Sequence, residues 1–153
     1  MTPEEKLIAL DIQVPSPPEP VAAYVPGVRV GDMVYTSGQL PVTGGEIRYR
    51  GKLGKELSVE EGYAASRLCI LNCLGVVREL AGSLNRVERI VKVTGFVAGV
   101  EGFNQQPAVV NGASELLGEI FGPSGRHARS AVGVADLPLG VPVEIELVVQ
   151  IKD

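Results

Sequence analysis

The chain has 153 residues, 45% of them hydrophobic and 21% charged, with 14 Lys and Arg against 18 Asp and Glu for a formal net charge of -4. That length suits one domain, and the apolar fraction excludes disorder of the chain as a whole. An acidic total points away from a phosphate-neutralising surface, so nucleic acid is not the expected partner.

In chain order, residues 3–10 read as a short helix, and Pro15, Pro17, Pro18 and Pro20 hold the chain extended behind it. Residues 1–20 are taken as an N-terminal extension and 21–153 as a single domain. The opening Met1-Thr2-Pro3-Glu4-Glu5-Lys6 lacks the basic and apolar regions of a secretory leader. The longest apolar stretch, 68–77, is about half of the roughly 20 residues that span a bilayer. The expectation is a cytoplasmic protein with no membrane partner.

Residues 28–30 and 33–37 alternate as two strands joined by a Gly31-Asp32 turn, and a Gly-rich segment after them holds a third short strand near 46–50. Ser58-Val59-Glu60-Glu61 is a capping box. It opens a helix with an apolar stripe of Leu68, Leu71, Leu74 and Val77 and a stop at Gly82. Cys69 and Cys73 fall one turn apart on that helix, where their Cβ vectors run side by side, so they read as buried thiols and not as a disulfide. A strand follows at 89–98. Asn104 is placed to cap a second helix to Phe121, with Pro107 in its first turn and Val110, Ala113, Leu117 and Phe121 on its apolar face. Strands at 128–135 and 143–151 close the chain. The pattern predicts an α+β protein with helices on one face of a sheet.

The last strand sends Val143, Ile145, Leu147, Val149 and Ile151 to one side, and Glu144, Glu146, Val148 and Gln150 to the other. Ser130, Val132 and Val134 alternate against Arg129, Ala131, Gly133 and Ala135, and Val91, Val93 and Val97 against Lys92, Thr94 and Phe96. The second face mixes small residues with charges. It is expected to be covered by another subunit, with a cleft that traps Arg129 and Glu144.

Chemistry concentrates in Gly125-Arg126-His127-Ala128-Arg129-Ser130. An Arg at the mouth of a strand suits a bidentate grip on a carboxylate or phosphate, or else an interface ion pair. His127, the one histidine, is an acid–base group or a structural one. Glu144 and Glu146 share a strand face and either handle a water or stand solvated. Dinucleotide, phosphate-loop and nucleophile-elbow motifs are absent from the sequence.

The segments Tyr24-Val25-Pro26-Gly27-Val28, Tyr35-Thr36-Ser37-Gly38-Gln39-Leu40-Pro41, Arg126-His127-Ala128-Arg129-Ser130-Ala131-Val132, Leu137-Pro138 and Val143-Glu144-Ile145-Glu146 follow one another in an order that resembles the Rid (reactive intermediate deaminase) family. That family is also called YjgF-like and is labelled endoribonuclease L-PSP. The resemblance runs from about Tyr24 to Ile151. It implies a chorismate-mutase-like α+β fold, a mixed sheet with two main helices on one face, assembled as a homotrimer with clefts between subunits. In deaminating members the Arg of the A-R-S motif binds the carboxylate of a 2-imino acid or its enamine, which points to Arg129. The first Glu of E-I-E positions or activates water, which points to Glu144. Tyr24, Ser37, Gly38, Asn111 and Ala131 match positions that line the cleft. Ala131 stands where Cys is frequent in the best-studied deaminating members, and His127 stands where Pro is frequent. These departures, the long 46–57 hairpin, Pro26, the 103–111 stretch and the N-terminal extension suggest a divergent bacterial-type subgroup. No metal or organic cofactor is implied. The activity expected is hydrolysis of 2-imino acids to 2-keto acids and ammonia. A non-catalytic regulatory protein that binds a small carboxylate, or an endoribonuclease, remains as an alternative.

Overall fold

Ser58 accepts the Glu61 amide on its hydroxyl at 3.2 Å, and the Ser58 N–H donates to the Glu61 carboxylate at 3.0 Å. This reciprocal cap starts helix α2, Val59–Ala81, which Gly82 ends in the left-handed conformation at φ 90°. The computed structural model describes residues 1–17 and 23–152. Before α2 come α1 (Pro3–Ala9), β1 (Gly27–Val30), β2 (Met33–Thr36), β3 (Val42–Thr43) and β4 (Glu46–Ile47). After it come β5 (Val87–Ala98), α3 (Gln106–Phe121), β6 (Ala128–Val134) and β7 (Val143–Ile151). Pro18 and Pro20 of the expected lead-in lie outside the described residues.

The main sheet has the order β1-β2-β7-β5-β6. Neighbours are antiparallel except β5 and β6, which are parallel and therefore need the crossover that α3 supplies. Helices α2 and α3 pack together, with α2 over β7 and α3 over β5 and β6, so one face of the sheet carries a helical layer. The expected third strand shortens to Glu46–Ile47, which pairs with β3 as a separate ribbon.

Val143, Ile145, Leu147, Val149 and Ile151 are all buried beneath the helices, as the alternation of β7 requires. The apolar line on α2 differs from the expected stripe. Ala65, Cys69, Cys73 and Val77 are buried outright, while Leu68 and Leu71 lie to its side and are half-buried. The two thiols are part of the core, free and unpaired, and each donates to a backbone carbonyl of β7, Cys69 to Val143 O at 3.5 Å and Cys73 to Ile145 O at 3.3 Å. Burial raises both, Cys73 to about 12, so neither is a thiolate at neutral pH.

Two expected details are corrected by backbone geometry. A bulge between Ile90 and Lys92 shifts the parity of β5, so Ile90 enters the core and Val91 does not. Gln105, not Asn104, precedes the first turn of α3, and no side chain caps it. Pro107 reduces the number of amides that need a cap there, and the Gln106 side chain instead ties the approach by donating to Phe103 O at 2.8 Å. Among the described residues no helix is long and apolar enough to cross a membrane.

Candidate active site

Arg129 lies at the start of β6, opposite Val93 in the parallel ladder, and its side chain runs onto α3. There it meets oxygens spaced along one helical face. Nη1 donates to Asn111 Oδ1 at 2.9 Å and to Ser114 Oγ at 3.1 Å, and Nη2 donates to Pro107 O at 3.4 Å. All three acceptors are neutral, and no ion pair among the described residues includes Arg129. Both hydrogens of Nη1 and one of Nη2 are thus engaged by the helix. The Nε–H and one Nη2–H have no acceptor among the described residues, and a guanidinium edge that carries such a pair is the fork a carboxylate fits side-on. Ala131, two residues on, is on the same side and packs against the core.

His127 joins this cluster by an indirect route. Its Nδ1 is 2.6 Å from Gly125 O, and its Nε2 is 2.8 Å from Ser114 Oγ. Ser114 therefore stands between His127 and Arg129. Sequence reading missed it, because a Ser inside a helix carries no signal until the phase of α3 against β6 is known.

The second group of expected residues sits elsewhere. Ser37 follows β2, donates its hydroxyl to Val25 O at 2.6 Å and receives nothing from the arginine side. Its backbone N–H donates to Pro26 O at 2.7 Å, which fastens the exposed Tyr24 segment to the same loop. Gln39 and Ile145 exchange backbone hydrogen bonds at 2.8 and 3.1 Å. That pairing brings Gly38 against Glu144 so closely that a methyl group at Gly38 would overlap the carboxylate. Burial, and then the neighbouring Glu146 charge, push the Glu144 carboxyl above its usual value of 4.5.

The expectation of one face holding both Arg129 and Glu144 is not met within a chain. In register, Arg129, Val93 and Leu147 share the helix-covered face. Val132, Phe96 and Glu144 share the opposite one, as do Ser130, Thr94 and Glu146. The chain therefore carries two separate groups, candidate half-sites, one of Arg129, Asn111, Ser114 and His127 and one of Tyr24, Ser37, Gly38 and Glu144. Among the described residues no group of three or more His, Cys, Asp or Glu is arranged to hold a metal ion. A groove of roughly 370 Å³ lined by Lys52, Glu101, Phe103, Gln106 and Gly133 includes none of these residues.

The family model described as "YjgF/chorismate mutase-like, putative endoribonuclease" matches residues 4–150. Protein TCP17 of Trypanosoma cruzi is 41% identical over 145 residues, covering 94% of this chain and 91% of that protein. A 2-iminobutanoate/2-iminopropanoate deaminase of Salmonella typhimurium is 36% identical over 131 residues, 86% of this chain and 89% of that enzyme. Among solved structures, the protein Atu1372 of Agrobacterium tumefaciens superposes with a TM-score of 0.91 at 40% identity, over 98% of this chain and 92% of that one. The YjgF gene product of E. coli gives 0.66 at 34% identity, over 88% and 93%.

Proposed function

Because the chain belongs to the YjgF/RutC family, which includes 2-iminobutanoate/2-iminopropanoate deaminases, we propose that it hydrolyses 2-imino acids and their enamine tautomers in clefts between the subunits of a homotrimer. The observation that carries this reading is the state of Arg129. Its charge is held on three neutral oxygens of α3, with one edge of donors left for a planar anion.

The reaction asks little beyond placement. An imine carbon next to a carboxylate, protonated on nitrogen, is already electrophilic. Arg129 grips the carboxylate, and Glu144, ionised, takes a proton from the attacking water. The water oxygen bonds to the imine carbon, giving a carbinolamine. Protonated Glu144 returns that proton to the amine nitrogen, the C–N bond breaks with its electrons going to nitrogen so that ammonia leaves, and the hydroxyl gives its proton to the Glu144 carboxylate as the C=O bond of the 2-keto acid forms. The two half-sites on opposite sheet faces support a cleft that one copy opens with Arg129 and another closes with Glu144.

A ribonuclease is disfavoured by the same geometry. Metal-free RNA cleavage calls for a free acid–base pair, and both ring nitrogens of the one histidine are engaged by Gly125 and Ser114. A carboxylate-binding regulator would use Arg129 equally well, and turnover separates the two.

The test is ammonia release from 2-iminobutanoate generated in situ by an amino-acid oxidase. The protein should accelerate it, and Arg129→Ala should lower kcat/KM by about tenfold or more, the loss of a charge-assisted pair. No acceleration at high protein concentration would overturn the hydrolase reading.

A further inference from the structure

We propose that His127 is a positioning residue for Arg129, acting through the Ser114 hydroxyl. The proposal rests on the reading of Arg129 as the carboxylate anchor.

A carbonyl oxygen only accepts, so the 2.6 Å contact with Gly125 O places the ring proton on Nδ1. In the neutral ring Nε2 is then an acceptor, and the Ser114 hydroxyl at 2.8 Å must donate to it. With its hydrogen directed at His127, Ser114 turns its lone pairs to Arg129 Nη1 at 3.1 Å. The chain of donors thus has one direction, from Arg129 to Ser114 to His127 to Gly125.

Its far end is closely packed. Gly125 closes the 3₁₀ turn Gly122–Gly125 and lies so near Leu117 O of α3 that a methyl group there would overlap that carbonyl. Imidazole orientation is therefore set by a backbone oxygen pinned to the same helix that carries Asn111 and Ser114. Without the Nε2 acceptor, Ser114 has the usual alternative of a helical serine, a bond to the carbonyl four residues back, here Val110. Adopting it releases Nη1 from one of its two oxygens. The guanidinium then samples orientations in which its free edge no longer meets the ligand, and ligand binding weakens before chemistry does.

The experiment compares wild type with His127→Phe, Ser114→Ala, the double variant, His127→Gln and Arg129→Ala. It reads KM and kcat for 2-iminobutanoate, Kd for the keto-acid product 2-oxobutanoate by calorimetry, and thermal unfolding. His127→Phe and Ser114→Ala should each raise KM and Kd about threefold to tenfold with kcat within about twofold, about the net contribution of one hydrogen bond, since Asn111 and Pro107 still hold the guanidinium. The double variant should be no worse than either single one, since the two residues act in series. His127→Gln, which returns an acceptor near the Nε2 position, should restore most of the affinity.

Losses that multiply in the double variant, or unchanged KM and Kd in His127→Phe beside a clear loss in Arg129→Ala, overturn the proposal. So does a fall in kcat and thermal stability without a change in affinity. If no imine is hydrolysed but Kd follows the expected pattern, the hydrolase reading fails while the relay stands. If Arg129→Ala leaves KM and Kd unchanged, both fail.

Discussion

Gly38 and Glu144 are coupled at the scale of single residues, since the missing side chain at one makes room for the carboxylate of the other. The same closeness removes solvent from Glu144, and burial followed by the Glu146 charge raises its pKa above 4.5. A base acts ionised, so the proposed activity should fall as pH drops through that raised value. Glu146→Gln removes the like charge but leaves the burial. The acid limb of kcat/KM should therefore move to lower pH while remaining above 4.5, and a pH–rate profile of wild type and variant reads the shift. An unmoved limb would mean that Glu144 does not set it. Residue types marked Arg129 and Glu144 as candidates beside a plain ion pair and a solvated carboxylate, and the family resemblance alone attached roles to them. Ser114 was illegible for a physical reason: its hydroxyl has work only because α3 presents it to an edge strand, and helix phase against a neighbouring strand is not written in the spacing of either.

At the scale of elements, the N-terminal segment is built into the domain. Thr2 caps α1, Leu7 is buried in the common core, and Ile12 and Val14 pack against it. The chain then passes so near α2 that a methyl group at Gly75 would overlap Pro15 O. Glu4 fastens this arrangement. Its carboxylate accepts from Arg78 Nη2 at 2.7 Å, from Arg78 Nε at 3.1 Å and from the Leu84 N–H at 3.0 Å. Burial alone would raise the Glu4 pKa, but the Arg78 and Leu84 hydrogen bonds and the Arg78 charge outweigh it and bring it below 4.5. A carboxyl with a depressed pKa stabilises the fold above its unfolded value and ceases to as pH falls through the folded one. Glu4→Gln should cost about 1 kcal/mol at neutral pH, a figure kept low because the pair is partly exposed. Urea unfolding should show the gap from wild type closing as acid protonates Glu4. A gap constant with pH would place the loss in packing instead. The short helix read at 3–10 forms over Pro3–Ala9, whereas its docking was not readable, since Glu4 and Arg78 are brought together only by tertiary folding.

At the scale of the molecule, the helix-free face of the sheet presents Val28, Val30, Tyr35 and Val132, all exposed, around the half-buried Phe96 and Glu144. A monomer rarely leaves such a surface to water, and a second copy is the cover proposed above. Strand alternation revealed which residues share a side within one strand. It could not reveal that Arg129 and Glu144 take opposite sides, because that depends on how β6, β5 and β7 align, and the bulge in β5 shifts parity within that strand. The division gives the assembly a direct test. Arg129→Ala lacks one half-site and Glu144→Gln the other, so each homo-oligomer should keep no more than about a tenth of the wild-type activity. Unfolded together and refolded as an equimolar mixture, they form clefts in which an intact Arg129 faces an intact Glu144 from another copy. In a cyclic trimer each mixed ring has one such cleft in three, so random assembly should restore about a quarter of the wild-type activity. Activity that stays at the background of the separate variants, in rings shown by mass to be mixed, would place both groups of a working site on the same chain and remove the reason for the oligomer.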